Sequence, residues 1–349
     1  MHPTRFDANM KGCPCCFIVP PNVLQRMATS GDPALAETAG RTLRLTQSLV
    51  AFRAQLSTGA PPPTALKRQG LRRQVFDCQS TNDLPGDPVR SETDTRPNRD
   101  KAVNEAFDNA GTTWDFYNKI FGRESVDNHG KTLVSSVHYG QNYDNAFWNG
   151  QQMVYGDGDG VIFQRFTTAL DVIAHELTHG VTQFTAQLAY EYQPGALNES
   201  MSDVFGSMVK QWALGQTVDQ ADWLIGKDIM GPAALKKGYT CLRDMSNPAA
   251  KHCLSPQPTK FSQYRAGMDP HVSSGIPNLA FYVTAKAVGG HSWEKVGQIW
   301  YKAQTGFGPS PNMKMKAFAN RTRAVAAQLY PGNTAVAGAV DAGWKKVGL

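Results

Sequence analysis

Apolar positions change their period twice along the chain. From Arg41 to Leu56 they recur at helical spacing, with Leu43, Leu45, Leu49, Val50 and Phe52 apolar, and this predicts a helix. The run Gly59-Ala60-Pro61-Pro62-Pro63-Thr64 and the basic stretch Lys67-Arg68-Gln69-Gly70-Leu71-Arg72-Arg73 then break the pattern and read as a linker. From Gln74 to about Phe166, short apolar runs such as Val134-Ser135-Ser136-Val137-His138-Tyr139 alternate with Gly and Asn turns, which predicts a strand-rich half. From Thr167 onward the periodicity is mainly helical. The expected organisation is α+β: an N-terminal part over 1–60, a linker over 61–73, a strand-rich half over 74–166 and a helical half over 167–349.

Composition narrows the function classes without choosing one. A chain of 349 residues with 41% hydrophobic content is ample for two domains. The net charge of +6 is modest and the basic residues are dispersed outside 67–73, so nucleic-acid binding has little support. No apolar run approaches the length of a membrane span, and no long repeat is visible. A monomer is expected.

The chemistry is concentrated in His175-Glu176-Leu177-Thr178-His179. Residues four apart share a helix face, so His175 and His179 can grip one metal ion while Glu176 faces the adjoining space as a general base. Twenty residues beyond His179, Glu199 and Asp203 are again four apart within Asn198-Glu199-Ser200-Met201-Ser202-Asp203. An open catalytic zinc site needs three protein ligands, and ligating histidines donate their other N–H to a carboxylate. Glu199 is therefore the candidate third ligand of one catalytic Zn2+, and Asp203 the candidate partner of His175. The alternative for this pair is two solvated acids on an exposed helix.

With these motifs in hand, the sequence from about Val75 to the C terminus resembles the thermolysin family of metalloendopeptidases. The likeness is carried by Asn145-Ala146-Phe147-Trp148-Asn149-Gly150, Tyr155-Gly156-Asp157-Gly158-Asp159-Gly160, the His175 segment, Gly195-Ala196-Leu197-Asn198-Glu199 and Ser273-Ser274-Gly275-Ile276-Pro277-Asn278. The resemblance implies a two-domain fold with the zinc helix on the floor of a cleft, and a peptide or protein substrate cut internally by zinc-activated water. It implies that Asn145 and the Ala146 backbone hold the peptide as an added strand. Tyr190 and His271 would donate to the developing oxyanion, and Arg243 would bind a substrate carbonyl and steady Glu176. The family's preference for bulky apolar residues after the cut would fall to Phe163, Phe166, Val172 and Leu242, for which simple core packing is the competing reading. Other functional classes, an inactive peptide-binding relative or an exopeptidase, would require a lost ligand or a charged group for a free chain terminus.

Two departures from the family pattern bear on these roles. Asp269 sits only two residues before His271, so it would orient that ring from an unusual backbone path. At positions where relatives bind paired Ca2+ ions, this chain has Lys210, Leu224 and Lys227 beside Asp171 and Asp222. An ammonium neutralises carboxylates but cannot ligate calcium, so the double Ca2+ site is expected to be absent.

The N-terminal part resembles the short propeptide of protealysin-like precursors through Phe17-Ile18-Val19-Pro20-Pro21-Asn22-Val23-Leu24. The expectation is that Pro20, Pro21 and Leu24 belong to an extended pseudo-substrate lying in the cleft, with cleavage in 57–73 releasing the enzyme. The alternative is a loosely packed turn. A thiolate from Cys13, Cys15 or Cys16 could take the fourth zinc position, or these are incidental thiols. Cys241 and Cys253 bracket a short loop and could form a disulfide in an oxidising compartment. No secretory signal is recognisable, which suggests cytoplasmic synthesis with export by another route.

Overall fold

The computed structural model describes residues 16–55 and 69–349; Cys13, Cys15 and most of the 57–73 linker lie outside the described residues. The chain enters as a short strand, β1 (Cys16–Phe17), and continues into two helices, α1 (Pro21–Ala28) and α2 (Pro33–Gln55). A residue preceding proline is driven to extended backbone, and Pro20 lies at φ −64°, ψ 146°. Pro21 instead opens α1, where a missing N–H goes unnoticed, and Leu24 lies on the buried face of that helix with Val23 and Met27. Strand pairing is thus confined to Cys16–Phe17, with Pro20 extended just before the helix, and the expected extension through Pro21 and Leu24 is corrected to a helix. The second helix also starts ahead of the expected Arg41.

The strand-rich half contains β2 (Arg73–Asp77), β3 (Asp87–Ser91), the long helix α3 (Lys101–Phe121), β4 (Leu133–Val137), β5 (Ala146–Trp148) and β6 (Met153–Tyr155). With β1 they make one mixed sheet in the order β1-β5-β6-β4-β2-β3. The β2/β4 and β4/β6 pairs are parallel and the others antiparallel. β1 therefore occupies the β5 edge of the sheet. α3 was not anticipated in this half. Asp100 caps its first turn by accepting from the Ala102 and Val103 amides, and Gly122 ends it in the left-handed region at φ 63°.

The remainder is helical: α4 (Leu170–Gln183), α5 (Tyr192–Ala213), the small pair β7 (Leu224–Ile225) and β8 (Arg243–Asp244) with α6 (Pro232–Lys236) between them, then α7 (Pro270–Ser273), α8 (Gly275–Val288), α9 (Val296–Thr305), α10 (Met315–Leu329) and α11 (Thr334–Lys346). Every residue of α4 from Asp171 to Gln183 is buried. α5 packs directly on it, because Gly206 presents no side chain: a Cβ there would stand 2.6 Å from the Asp171 carbonyl oxygen. This contact between two buried helices brings Glu199 and Asp203 to the histidines. Among the described residues, no helix is long and apolar enough to cross a membrane.

Candidate active site

Buried imidazoles and carboxylates need partners, and those on α4 and α5 find them in one another. His175 Nδ1 lies 2.9 Å from Asp203 Oδ1, and His179 Nδ1 lies 2.9 Å from Asn198 Oδ1. Asn198 is oriented by donating its own amide to the Leu188 carbonyl, so its oxygen faces the ring. Both Nδ1 atoms are thereby donors, which leaves both Nε2 atoms as bare lone pairs. They stand 3.0 Å apart, and the two Glu199 oxygens lie 3.5 Å from one or the other. All three side chains have no exposure to solvent. Two lone pairs and a carboxylate facing each other without a proton repel unless a cation sits between them. This donor set fits Zn2+ with one open coordination position. Burial first, then His175, holds His179 well below the ordinary histidine pKa, as a neutral ligand requires.

Glu176 is also fully buried, and neither carboxylate oxygen reaches hydrogen-bonding geometry with a protein partner among the described residues. Burial and then the charge of Glu199 raise its pKa well above the usual range, with the Trp148 amide and Arg243 opposing. An unpartnered carboxyl of this kind beside a metal-binding set can accept a proton.

Asp203 anchors the network behind the histidines. It receives Arg243 through two bonds, Nε at 2.8 Å and Nη2 at 2.7 Å, and the Asn278 amide at 2.9 Å. Although burial opposes ionisation, Arg243 and then His175 hold the Asp203 carboxyl well below the carboxylate range. The guanidinium fork is committed to Asp203, so Arg243 acts on Glu176 through its charge, which lowers that carboxyl's pKa, rather than through a hydrogen bond. Its remaining Nη1 donates to a backbone carbonyl, that of Ile18, at 3.0 Å. Asn198 and Asn278 belong to motifs noticed in the sequence, yet their second-layer bonds had no spacing signal that assigns them.

Tyr190 and His271 close the other side. The Tyr190 hydroxyl donates to Glu199 and lies 3.0 Å from His271 Nε2. Asp269 reaches His271 Nδ1 at 2.8 Å while also accepting the His271 amide at the first turn of α7. Burial would lower the His271 pKa, but Glu199 and Asp269 outweigh it and push it up to about 9.

The N-terminal strand lies across these groups. Cys16 pairs with Trp148 and Phe17 with Phe147 in antiparallel register. The Ile18 amide donates to the Ala146 carbonyl at 3.1 Å, and Asn145 exchanges two bonds with Val19, at 2.9 and 3.1 Å. The Phe17 carbonyl accepts from His271 Nε2. Cys16 Sγ lies within 4.8 Å of ligand atoms of both His179 and Glu199, and this sulfur is held in a disulfide.

The four apolar candidates are wholly buried in the main core, where Phe163 and Phe166 pack at 5.5 Å between ring centroids. Lys210 lies 3.4 Å from Asp171 and 3.1 Å from Asp222 and donates to the Leu224 carbonyl at 2.7 Å, while Lys227 pairs with Asp222 at 3.4 Å. Cys241 and Cys253, which could pair in an oxidising compartment, are here buried free thiols 3.6 Å apart.

Comparison with known proteins identifies the family. Residues 64–183 match the thermolysin metallopeptidase catalytic domain and residues 186–349 the thermolysin metallopeptidase alpha-helical domain. An extracellular metalloprotease of Pectobacterium carotovorum subsp. carotovorum is 45% identical, the alignment covering 97% of this chain and 98% of the relative. The protease PrtS of a Photorhabdus species is 37% identical over 95% of this chain and 91% of its own. Among solved structures, the precursor of protealysin, a metalloproteinase from Serratia proteamaculans, superposes with a TM-score of 0.83 at 41% identity, covering 95% of this chain and 99% of that one.

Proposed function

The chain belongs to the thermolysin metallopeptidases, zinc-dependent metalloendopeptidases, and from that premise we propose that it is a zymogen whose own residues 16–20 fill the cleft in which Glu176 later acts as general base. The carrying observation is the convergence of His175, His179 and Glu199 lone pairs beside a carboxyl, Glu176, whose oxygens reach no hydrogen-bonding geometry with a protein partner among the described residues.

His175, His179 and Glu199 would hold the metal. When bound, zinc supplies the Lewis acid that polarises the scissile carbonyl and acidifies a water. Glu176 takes the proton from that water and later delivers it to the leaving amine. Asp203 and Asn198 fix the ligating rings in the required tautomers. His271, oriented by Asp269, and Tyr190 donate to the oxygen as it gains charge. Asn145, the Ala146 carbonyl and Arg243 hold the peptide backbone, a role supported by their grip on residues 18 and 19.

The same contacts support the zymogen reading, since Phe17 offers His271 a carbonyl as a substrate would. The next residue, Ile18, is bulky, apolar and fully buried. This favours a preference for such residues after the cut, with Phe163, Phe166, Val172 and Leu242 shaping the pocket. Residues 1–60 are then the propeptide, 61–73 the linker to be cut, and 74–166 and 167–349 the two halves of a monomeric enzyme. The Lys210 ammonium takes the place of paired Ca2+ ions at Asp171 and Asp222.

The test compares the full-length chain with Glu176→Ala for zinc content, cleavage within 57–73, and hydrolysis of an internally quenched peptide blocked at both ends. Equal zinc in both, with cleavage and turnover lowered on the order of 10³-fold or more in the variant, is the expected result. Substantial residual turnover in the variant would remove Glu176 from the mechanism. A zinc-loaded parent that stays intact and inactive would favour a peptide-binding role.

A further inference from the structure

Cys241 and Cys253 flank the loop that carries Arg243, and their backbones meet in an isolated parallel bridge. The loop is closed by the Thr240 amide on the His252 carbonyl and the Leu254 amide on the Cys241 carbonyl, each at 2.9 Å. Both thiols are buried against Ala250 and Leu224. Together with one ring nitrogen of His252, the two sulfurs place three ligand atoms within 4.8 Å of one another. A carboxylate is at hand too: Asp244 Oδ2 lies 3.2 Å from His252 Nε2. Its other oxygen is already taken by the Ser246 amide and hydroxyl and the Asn247 amide. His252 is 39% exposed, so the cluster opens to solvent on one side.

Two sulfurs sharing a tetrahedral Zn2+ at about 2.3 Å each stand about 3.8 Å apart, whereas a disulfide requires about 2.0 Å. The observed 3.6 Å, a thiol–thiol hydrogen-bond contact, is too long for a disulfide and close to the separation a shared ion requires. Two thiolates and an imidazole form a donor set suited to a borderline-soft ion such as Zn2+, with the Asp244 carboxylate placed against the imidazole. The catalytic donors His175, His179 and Glu199 are separate residues on other elements. We propose that Cys241, Cys253 and His252, with Asp244 beside them, bind a second, structural Zn2+. Coordination by both sulfurs would tie the Arg243 loop together across its base. It thereby positions the guanidinium that grips Asp203 and the backbone carbonyl in the cleft.

The test uses full-length chain purified anaerobically with a phosphine reductant, in four forms: parent, Cys241→Ser/Cys253→Ser, His252→Gln and His175→Ala/His179→Ala. The parent is expected to hold two zinc ions per chain, and each of the other forms one. After Co2+ replacement, the near-ultraviolet thiolate-to-cobalt band should persist in His175→Ala/His179→Ala and disappear in Cys241→Ser/Cys253→Ser. If the cysteine variant does not fold, retention of the second ion and an unchanged band in His252→Gln would overturn the ligand set. A reduced parent holding one zinc, or a peptide map showing Cys241 joined to Cys253 in protein isolated without reductant but loaded with zinc, would overturn the site itself.

Discussion

Replacing Lys210 by alanine isolates the cost of one buried ion pair. Lys210 is 7% exposed, and its ammonium is held in the charged form by Asp171 and Asp222 even though burial works against it. Asp171 is fully buried at the start of α4, where one oxygen faces Lys210 and accepts the Gly226 amide at 3.0 Å. Asp222 is 34% exposed, so water replaces most of what it loses, and its share is about 0–1 kcal/mol. Asp171 has no such recourse, and stranding a buried charge costs about 3–5 kcal/mol. The expected loss is therefore about 3–5 kcal/mol, nearly all through Asp171. Urea unfolding of the full-length chain, followed by circular dichroism in a Glu176→Ala background that prevents self-digestion, measures it. Adding Asp171→Asn to Lys210→Ala should recover more than half of the loss, because the stranded charge is gone. Millimolar Ca2+ should leave the parent's midpoint unchanged. A loss below about 1 kcal/mol, no recovery in the double variant, or clear stabilisation of the parent by Ca2+ would refute the argument that the ammonium stands in for calcium.

Two further outcomes follow from the geometry. In the matured enzyme, His271→Ala should lower kcat by about 2–4 kcal/mol of transition-state binding with little change in KM, measured by steady-state hydrolysis; a change confined to KM would assign the residue to ground-state binding. His138 is raised to about 9, first by its hydrogen bond to Asp157, with burial opposing and Asp100 adding to the rise. Its pairs at 2.8 and 3.1 Å tie the cap of α3 to the 157 loop. A raised folded-state pKa contributes stability that is complete below about 6.5 and lost as pH rises through about 9. His138→Gln should then cost about 1–3 kcal/mol at pH 6, after allowance for the partly exposed acids, and much less at pH 10, by urea unfolding at each pH.

What was legible in the sequence was what a single helix turn encodes. His175 and His179, and again Glu199 and Asp203, are four apart, and that spacing alone puts each pair on one face. The fold-level division also followed from a change of period near residue 167. Contacts that depend on chain crossings were not legible. Arg243 was singled out, yet nothing local says that its fork closes on Asp203, forty residues away, rather than on Glu176. Asn198 holds His179 and Asn278 holds Asp203 through bonds that any buried amide could make elsewhere. α3 is a different kind of omission, because its signals were present: Asp100 before it, Gly122 after it, and Val103, Ala106, Phe107, Ala110, Phe116 and Tyr117 buried at helical spacing. The strand pattern on either side masked it.

On the zymogen reading, the contacts also say what maturation must accomplish. The segment from Cys16 to Val19 is held by a strand edge, by Asn145, by Arg243 and by His271, each a bond worth about 0.5–1.5 kcal/mol or somewhat more where charged. α1 adds the burial of Val23, Leu24 and Met27, about 1.5–3 kcal/mol for each large side chain. Cutting the linker removes none of these interactions. It only converts an intramolecular contact, at an effective concentration in the millimolar range, into a bimolecular one. A nicked complex is therefore expected to stay largely inhibited until the helical hairpin is itself diluted or degraded. The groups that would bind a substrate backbone are the ones occupied by residues 17–19, so substrate competes directly with the propeptide for Asn145, Arg243 and His271.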